Sequence, residues 1–302
     1  MRAANYDSGT SLFLHCMGRH LFQHSKYLLF LSLACAALLL HVETAHAQGN
    51  YEIQVYGSDT VESGTTMVEI HSNFTVEGSK PLPGSHLAAD GTEATNHALH
   101  ETLEITRGIT PWFETGFYVF SSAHSGDGWE WVGDHIRPRV RVPESWHWPV
   151  GASLSGEVGY QRARFSPDTW SLELRPILDK QMGRWYVSLN PVFDRSLHGP
   201  GTSQGFTFSP NAKVAYDVLR WKKEGQDKSI SAGLEYYGSV GRLSNPDPFR
   251  DQQQQFVPSV DLNISQQWEF NFGVGIGATQ ATDHLMVKGI LGRRFNFGRS
   301  RK

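Results

Sequence analysis

The chain has 302 residues, a formal net charge of −3 and only two cysteines. This length allows one or two soluble domains or a single large barrel. The mildly acidic charge includes no basic stripe, so we expect no nucleic-acid partner. Aromatic residues make up 12% of the chain and there are 30 glycines. That composition suits strands whose two faces meet different surroundings.

The N-terminal residues have the order of a secretory signal. A basic stretch ending at Lys26 precedes an apolar run over 27–40, and small residues flank a cleavage position after Ala47. The apolar run has about 14 residues, whereas a membrane-spanning helix needs roughly 20, so a cleaved signal is favoured over a helical anchor. We predict an N-terminal extension and cleaved signal peptide over 1–47 and an exported chain over 48–302.

Both cysteines, Cys16 and Cys35, precede the predicted cleavage position. The exported chain would therefore contain no thiol, which excludes a disulfide framework, thiolate metal sites and cysteine nucleophiles from it. Translation could begin at Met1 or at Met17, and the residues do not decide between the two.

After residue 48 the chain shows period-2 alternation, interrupted by Gly, Pro, Asn and Asp, and no sustained helical period. The predicted strands cover about 64–77, 97–107, 112–122, 131–142, 149–164, 169–180, 184–197, 206–219, 229–238, 255–266, 268–279 and 284–297. Most exceed the five or six residues that are typical of soluble proteins, and they reach the roughly 9–11 residues of a transmembrane strand.

The connections and the strand count point to a barrel with both termini at one end. Connections after even-numbered strands are mostly short, and those after odd-numbered strands include the two longest, 78–96 and 239–254. Bacterial barrels alternate short periplasmic turns with longer outer loops and have even strand numbers. Two connections, 220–228 and 280–283, depart from this pattern. Ten or fourteen strands remain alternatives, because 48–63 could add pairing and 149–164 could bend.

The distribution of tryptophan and of charge favours a membrane barrel over a soluble sandwich. All nine tryptophans fall at or near the predicted strand ends, as in the aromatic girdles of transmembrane barrels. The face opposite the apolar one carries many charges, which would be costly in a dry core but remain solvated or paired in a hydrated lumen. We therefore predict an all-β fold: a closed antiparallel up-and-down transmembrane barrel of about twelve strands.

This pattern resembles bacterial outer-membrane barrel proteins over nearly all of the exported chain. The resemblance rests on the amphipathic strands, the tryptophans at their ends, and a final alternating strand from Lys288 to Phe297, which five residues follow. It implies outer-membrane lipids and the barrel-assembly machinery as partners. The strand–turn–strand texture of Glu101–Thr110 is also similar to poorly characterised transporter-like barrels, including those associated with phenol-degradation pathways.

A search for catalytic chemistry gives no constellation of residues. His71, His100 and His135 are predicted to face the lumen, and Ser72 to face outward. Nucleophilic catalysis needs a base within hydrogen-bond reach of the nucleophile, and no motif brings such a pair together. We interpret these histidines as structural, and we expect no catalytic residue, no cofactor and no metal ion.

A one-sided row of arginines is the most distinctive feature of the predicted lumen. The predicted lumen charges are Arg137, Arg139, Arg141, Glu157, Glu173 and Arg175. The three arginines of 137–141 either guide an anionic or polar solute, as charged rings do in pores, or form a salt-bridge network with Glu157, Glu173 and neighbouring acids. The leading hypothesis for function is passive passage of small solutes. A non-transporting structural or surface barrel is the second, and a membrane-embedded lipid hydrolase the third.

Overall fold

The computed structural model describes residues 50–84, 87–88, 93–124, 128–223 and 225–296. The predicted signal segment 1–47 lies outside the described residues, as do Cys16, Cys35 and the terminal aromatic Phe297. In the part of the chain that is described, no helix is both long and apolar enough to cross a membrane.

Within the described ranges the structure consists of twelve long strands, two very short ones and three short 3-10 helices. The strands are β1 (Thr66–Glu77), β2 (Leu99–Thr110), β3 (Phe113–His124), β4 (Gly128–Arg141), β5 (Gly151–Gln161), β6 (Trp170–Met182), β7 (Trp185–His198), β8 (Phe206–Lys223), β9 (Gln226–Ser239), β10 (Gly241–Arg242), β11 (Asn245–Pro246), β12 (Gln253–Asn263), β13 (Trp268–Gly277) and β14 (Leu285–Phe295). The 3-10 helices are Glu144–Trp146, Pro200–Gln204 and Phe249–Asp251.

The twelve long strands form one closed antiparallel sheet in up-and-down order. Each pairs with its neighbour in the chain, apart from the small β10–β11 hairpin between β9 and β12, and β1 pairs with β14 to close the barrel. The closing ladder runs from Thr66 opposite Phe295 to Glu77 opposite Leu285. The predicted fold class is therefore confirmed, with twelve strands.

The wall of the barrel is mostly polar on its inner face and apolar on its outer face. On β1, Ile70 and Phe74 point outward and are 44% and 39% exposed, whereas the intervening His71 and Asn73 are buried. The same alternation continues around the sheet, with outward Leu103 on β2. An apolar outer surface of this kind fits the hydrocarbon of a bilayer. The closed sheet also meets the second requirement of that environment, because it pairs its backbone groups internally.

The tryptophans form two groups at opposite ends of the barrel. Trp129, Trp131 and Trp170 lie where β4 and β6 begin, and the other six lie in turns or at strand ends on the other side. Eight of the nine are exposed large apolar side chains. The predicted placement at strand ends is confirmed, and it matches the aromatic belts of membrane-water interfaces.

The connections define a long-loop end and a short-turn end. The long-loop end carries 78–98 and 240–252, and the short-turn end carries the two-residue turns 111–112 and 183–184. The prediction of a long turn over 220–228 is wrong, because β8 continues to Lys223 and β9 begins at Gln226. The longest connection of the short-turn end is instead 142–150, which contains a 3-10 helix.

An outward arginine near the middle of a strand tests the membrane-facing surface. Leu103 lies opposite Val119 and Ile70 in the neighbouring strands, on the apolar face. We expect Leu103→Arg to lower the free energy of unfolding in phospholipid vesicles by about 2–4 kcal/mol, because the charge would enter hydrocarbon. The measurement is a urea denaturation curve in which unfolding is monitored by tryptophan fluorescence.

The matched control for this substitution is Leu82→Arg, in the long connection 78–98, where the leucine is also exposed. It should leave the unfolding midpoint unchanged. Equal effects of the two substitutions would contradict a lipid-facing outer surface.

Candidate functional site

The interior of the barrel is occupied by residues 50–63, here called the lumen segment. None of these residues belongs to a strand of the sheet. At the long-loop end, Asn50 Nδ2 donates to Asp283 Oδ2 at 2.6 Å. At the short-turn end, Ser63 Oγ donates to the carbonyl of Ile109 at 3.0 Å. The segment therefore runs the length of the lumen before the chain enters β1.

Side chains of the wall satisfy the backbone of the lumen segment in place of a β-ladder. Asn190 Oδ1 accepts from the Tyr56 N–H at 2.7 Å, and the Tyr56 carbonyl accepts from Ser188 Oγ at 2.6 Å. Lys288 Nζ donates to the Ile53 carbonyl at 2.9 Å, and Thr102 Oγ1 to the carbonyl of Tyr51 at 2.7 Å. Buried backbone groups need such partners, and here polar residues of three strands, β2, β7 and β14, provide them.

Two apolar clusters fix the half of the lumen segment nearer the long-loop end. Tyr51 packs with Tyr118, Phe120, Val132 and Phe165. On the opposite wall, apolar contacts are made by Ile53 and Val55 of the segment with Tyr237, Val257 and Met286. These wall residues point inward, where a water-filled lumen would carry polar groups. Their position is explained by the segment that covers them.

The hydroxyl of Tyr51 also attaches the lumen segment to the connection 78–98 at the long-loop end. The hydroxyl donates to Glu93 Oε2 at 2.9 Å, and His124 Nδ1 lies 3.5 Å from Glu93 Oε1. A phenol is protonated at neutral pH, so the Tyr51 hydroxyl is the donor in this contact.

Three arginines surround the ring of Tyr56 at the middle of the segment. The guanidinium carbons of Arg137, Arg175 and Arg139 lie 4.7, 4.9 and 5.8 Å from the ring centroid. Guanidinium groups within about 6 Å of an aromatic ring are attracted by its quadrupole, more strongly when water is excluded. Two of these arginines come from the predicted row and the third from the predicted lumen charges.

Each of these arginines is also paired with an acid of the wall. Arg137 Nη2 lies 2.7 Å from Glu104 Oε1, and Arg139 Nη2 lies 2.6 Å from Glu114 Oε1. Arg175 donates twice to Glu173, at 2.7 and 2.9 Å. The buried guanidiniums are thus neutralised locally, and Arg137 and Arg139 of the predicted row find their partners on β2 and β3.

The remaining predicted charges lie toward the two ends of the lumen. Arg141, near the short-turn end, pairs with Asp59 of the lumen segment at 3.1 Å and with Glu144 at 3.3 Å. Glu157 lies in the long-loop half, where Nδ1 of His135 is hydrogen-bonded to its Oε1. The structure therefore brings Arg137, Arg139 and Arg175 together around Tyr56. Arg141 finds its partners nearer the short-turn end, and Glu157, which lies opposite Glu173 in the β5–β6 ladder, is bound to His135.

Two cavities lie on either side of the packed middle of the segment. The larger, of about 1010 Å³, reaches the short-turn end, and its lining includes Arg137, Arg139, Lys213, Glu235, Asp261 and Glu269. The smaller, of about 170 Å³, lies toward the long-loop end and is lined by residues that include Glu52, His135, Glu157 and Asp194. A solute crossing the lumen would have to displace the segment between them.

The residues considered for catalysis do not assemble in the structure. Ser72 Oγ faces outward and donates to Glu101 Oε2 at 2.9 Å, while His71 faces the interior. His100 Nδ1 lies 3.4 Å from Ser122 Oγ, and both residues are buried. Neither cavity described above is lined by any of these four residues, His71, Ser72, His100 and Ser122.

Two groups of side chains have the donor atoms for a metal ion. In the first, Glu52, His135 and Glu157 offer one ligand atom each, all within 4.8 Å of one another. In the second, the same holds for Glu69, His71 and Glu104. The sequence did not indicate either group, because each combines residues that are distant in the chain.

Comparison with known proteins gives solved barrels as structural neighbours. No protein-family model and no curated protein matches the chain. The translocator domain of the autotransporter NalP from Neisseria meningitidis matches at TM-score 0.42 and 10% identity, over 88% of this chain and 98% of that one. A KdgM porin matches at 0.40 and 10%, over 76% and 99%. A bacterial polysaccharide outer membrane secretin matches at 0.36 and 10%, over 76% and 98%. Similarity at this level says nothing about what this chain binds or carries.

Removing the Tyr56 ring tests how the lumen segment is held. In a chain with Cys16 and Cys35 replaced by Ala, a cysteine at the buried position of Val55 reports departure of the segment through maleimide labelling. A desolvated cation–π contact contributes about 2 kcal/mol, so we expect Tyr56→Ala to accelerate labelling by at least about 10-fold.

Tyr236→Ala serves as the control, because the Tyr236 ring packs against Phe256 on the outer face of the barrel. Labelling of the Val55→Cys position should be unchanged in that background. The same rate in the Tyr56→Ala and Tyr236→Ala chains would show that the arginines do not anchor the segment.

Proposed function

We propose that this protein is a channel of the bacterial outer membrane for small solutes, closed by its own lumen segment in the conformation described. The observation that carries this proposal is the cavity of about 1010 Å³, which is lined by charged side chains and ends at the segment. A closed barrel without a transport role would not need a hydrated chamber of that size. The charged lining matches a path for polar solutes.

The lumen segment can leave without damage to the barrel wall. It contributes no strand, so the twelve-stranded ladder is complete without it. Its attachments are individual contacts with side chains of the wall. They are hydrogen bonds that contribute about 0.5–1.5 kcal/mol each, the cation–π contacts of Tyr56, the ion pair of Asp59 with Arg141 and two small apolar clusters. Displacement of the segment is therefore a local event, unlike the opening of a closed sheet.

The proposed location rests on the outer surface of the barrel and on the N-terminal sequence. The apolar outer face and the two tryptophan groups suit a bilayer. Outer-membrane lipids and the barrel-assembly machinery are the partners that follow from this location. Cleavage after Ala47 would place Gln48 two residues before Asn50, and the intact mass of the exported protein checks it.

A non-transporting barrel is the second candidate. The buried ion pairs of Arg137, Arg139 and Arg175 and the two apolar clusters would then serve to stabilise a filled interior. The two candidates differ in one respect: for a channel, the larger cavity becomes part of a continuous aqueous path through the barrel once the segment is absent, and for a non-transporting barrel it does not. A lipid hydrolase has weaker support, since Ser72 and His71 point to opposite faces.

Replacing the lumen segment tests conduction directly. We expect the native protein in planar bilayers to give rare or no conductance steps, because Ile53 and Val55 are packed against the wall. Replacing residues 51–61 with a Gly/Ser sequence of equal length should give long-lived open channels. The control is a Gly/Ser replacement of the same length within the outer connection 240–252, which should give the same rare or absent conductance steps as the native protein.

If the segment-replaced barrel folds, as shown by a band that shifts only on boiling in SDS, but does not conduct, the non-transporting candidate is favoured. Solute classes can be compared in the same preparation by liposome swelling with small polar solutes and with phenol. Faster entry of phenol would support the resemblance to barrels associated with phenol-degradation pathways.

The arginine row as an electropositive track is a separate proposal, tested in the segment-replaced barrel. There Arg137 and Arg139 would face the open lumen without Tyr56 between them. Replacing Arg137, Arg139 and Arg141 by Gln removes three positive charges, so we expect an anion preference, read from reversal potentials in a salt gradient, to be abolished or reversed. Unchanged selectivity in a folded barrel would leave the row a salt-bridge network only.

A further inference from the structure

The smaller cavity is surrounded by more acids than bases. Five carboxylates line this acidic chamber: Glu52 of the lumen segment, Glu157 of β5, Asp168 of the connection 162–169, Glu173 of β6 and Asp194 of β7. His135 of β4 completes the wall. The lumen segment, three consecutive strands and the connection between β5 and β6 therefore bring acids to one cavity of about 170 Å³ in the long-loop half of the lumen.

The imidazole of His135 is held in a defined position. Its Nδ1 is hydrogen-bonded to Glu157 Oε1, and its ring meets the edge of Phe120 at a centroid distance of 4.5 Å. On β5, Gly159 lies directly opposite, and a Cβ there would stand 1.9 Å from His135 Cδ2. The absence of a side chain at residue 159 thus makes room for the ring beside the acids.

Two buried polar atoms of the chamber have no hydrogen-bond partner in the structure. They are Glu157 Oε2 and His135 Nε2. Glu157 is only 4% exposed, and a buried polar group without a hydrogen-bond partner is unfavourable, more so when it is charged. Both residues line the cavity, so a bound species there would satisfy them.

The charge of the chamber points to a cation. Arg175 is already bound to Glu173 through two hydrogen bonds. Among the described residues, no arginine or lysine lies within 4.0 Å of the Glu157 carboxylate, which is hydrogen-bonded to the imidazole of His135. The second metal-like group differs in this respect, because Arg137 lies 2.7 Å from Glu104 and supplies its counter-charge.

We propose that Glu52, His135 and Glu157 bind a divalent transition-metal cation of the zinc class. One imidazole and two carboxylates are ligands that Zn²⁺ accepts, and three protein ligands leave a position for water. The cavity of about 170 Å³ has room for the ion and several waters, each of which takes roughly 30 Å³ in the liquid. Because Glu52 belongs to the lumen segment and the other two to the wall, the ion ties the segment to β4 and β5.

The proposal depends on the seating of the lumen segment and is independent of whether the barrel conducts. The test is isothermal titration of Zn²⁺ into the folded, EDTA-stripped protein in detergent at neutral pH. We expect one saturable site in the native chain. Glu157→Gln and His135→Gln should each raise the dissociation constant by at least about 10-fold.

His71→Gln is the matched control, because His71 is also buried in the lumen and belongs to the other three-residue group. It should bind Zn²⁺ as the native chain does. Folding of every variant is checked by the shift of its SDS band on boiling. Co²⁺ in place of Zn²⁺ gives a second readout, since visible d–d absorption of a low-coordinate site should appear in the native chain and be lost in His135→Gln.

Three results would overturn the metal site. These are no saturable Zn²⁺ binding to the native chain, binding unaffected by both chamber variants, or loss of binding in His71→Gln with retention in Glu157→Gln. Each result leaves the conductance experiment to be decided on its own data, because that experiment removes Glu52 with the rest of residues 51–61.

Discussion

The pairing of every backbone N–H and C=O group is the constraint on which this structure depends. In hydrocarbon an unpaired edge would cost several kcal/mol per group, so the sheet has to end where it begins. The β1–β14 ladder, eleven paired positions from Thr66–Phe295 to Glu77–Leu285, removes both edges at once. Closure also fixes which side chains face the lipid, because a slip of one residue would exchange the two faces along a whole strand.

The same requirement operates inside the barrel, where it is met differently. The lumen segment is not a strand of the sheet, so its backbone groups do not pair with those of a neighbouring strand. Side chains such as Asn190, Ser188 and Lys288 bind its carbonyl and amide groups instead. The interior therefore has three regions along the lumen segment. Apolar clusters and acids lie toward the long-loop end, guanidinium groups surround Tyr56 in the middle, and a cavity lined by charged residues lies toward the short-turn end.

The amino-acid sequence was sufficient for the strands but not for the contents of the lumen. Alternation depends only on neighbouring residues, so it placed all twelve long strands close to their observed positions. Residues 50–63 show a similar alternation at Tyr51, Ile53 and Val55, and pairing with the sheet was one of the predicted alternatives for them. A signal of their true position was present: inward Tyr118 and Tyr237 have no place in a water-filled pore. The partners of the arginine row required the register, which sets Glu114 opposite Arg139, whereas sequence reasoning offered Glu157 and Glu173.

The position of the lumen segment immediately before β1 has a consequence for the order of assembly. Its contacts join residues that are far apart in the chain, such as Ile53 with Lys288 and Tyr56 with Asn190, and contacts of this kind form late because long stretches of chain must first be brought together. The surfaces that receive the segment come from both sides of the β1–β14 seam. They exist together only after the seam has closed, so a seated segment distinguishes a finished barrel from a sheet still open at one edge.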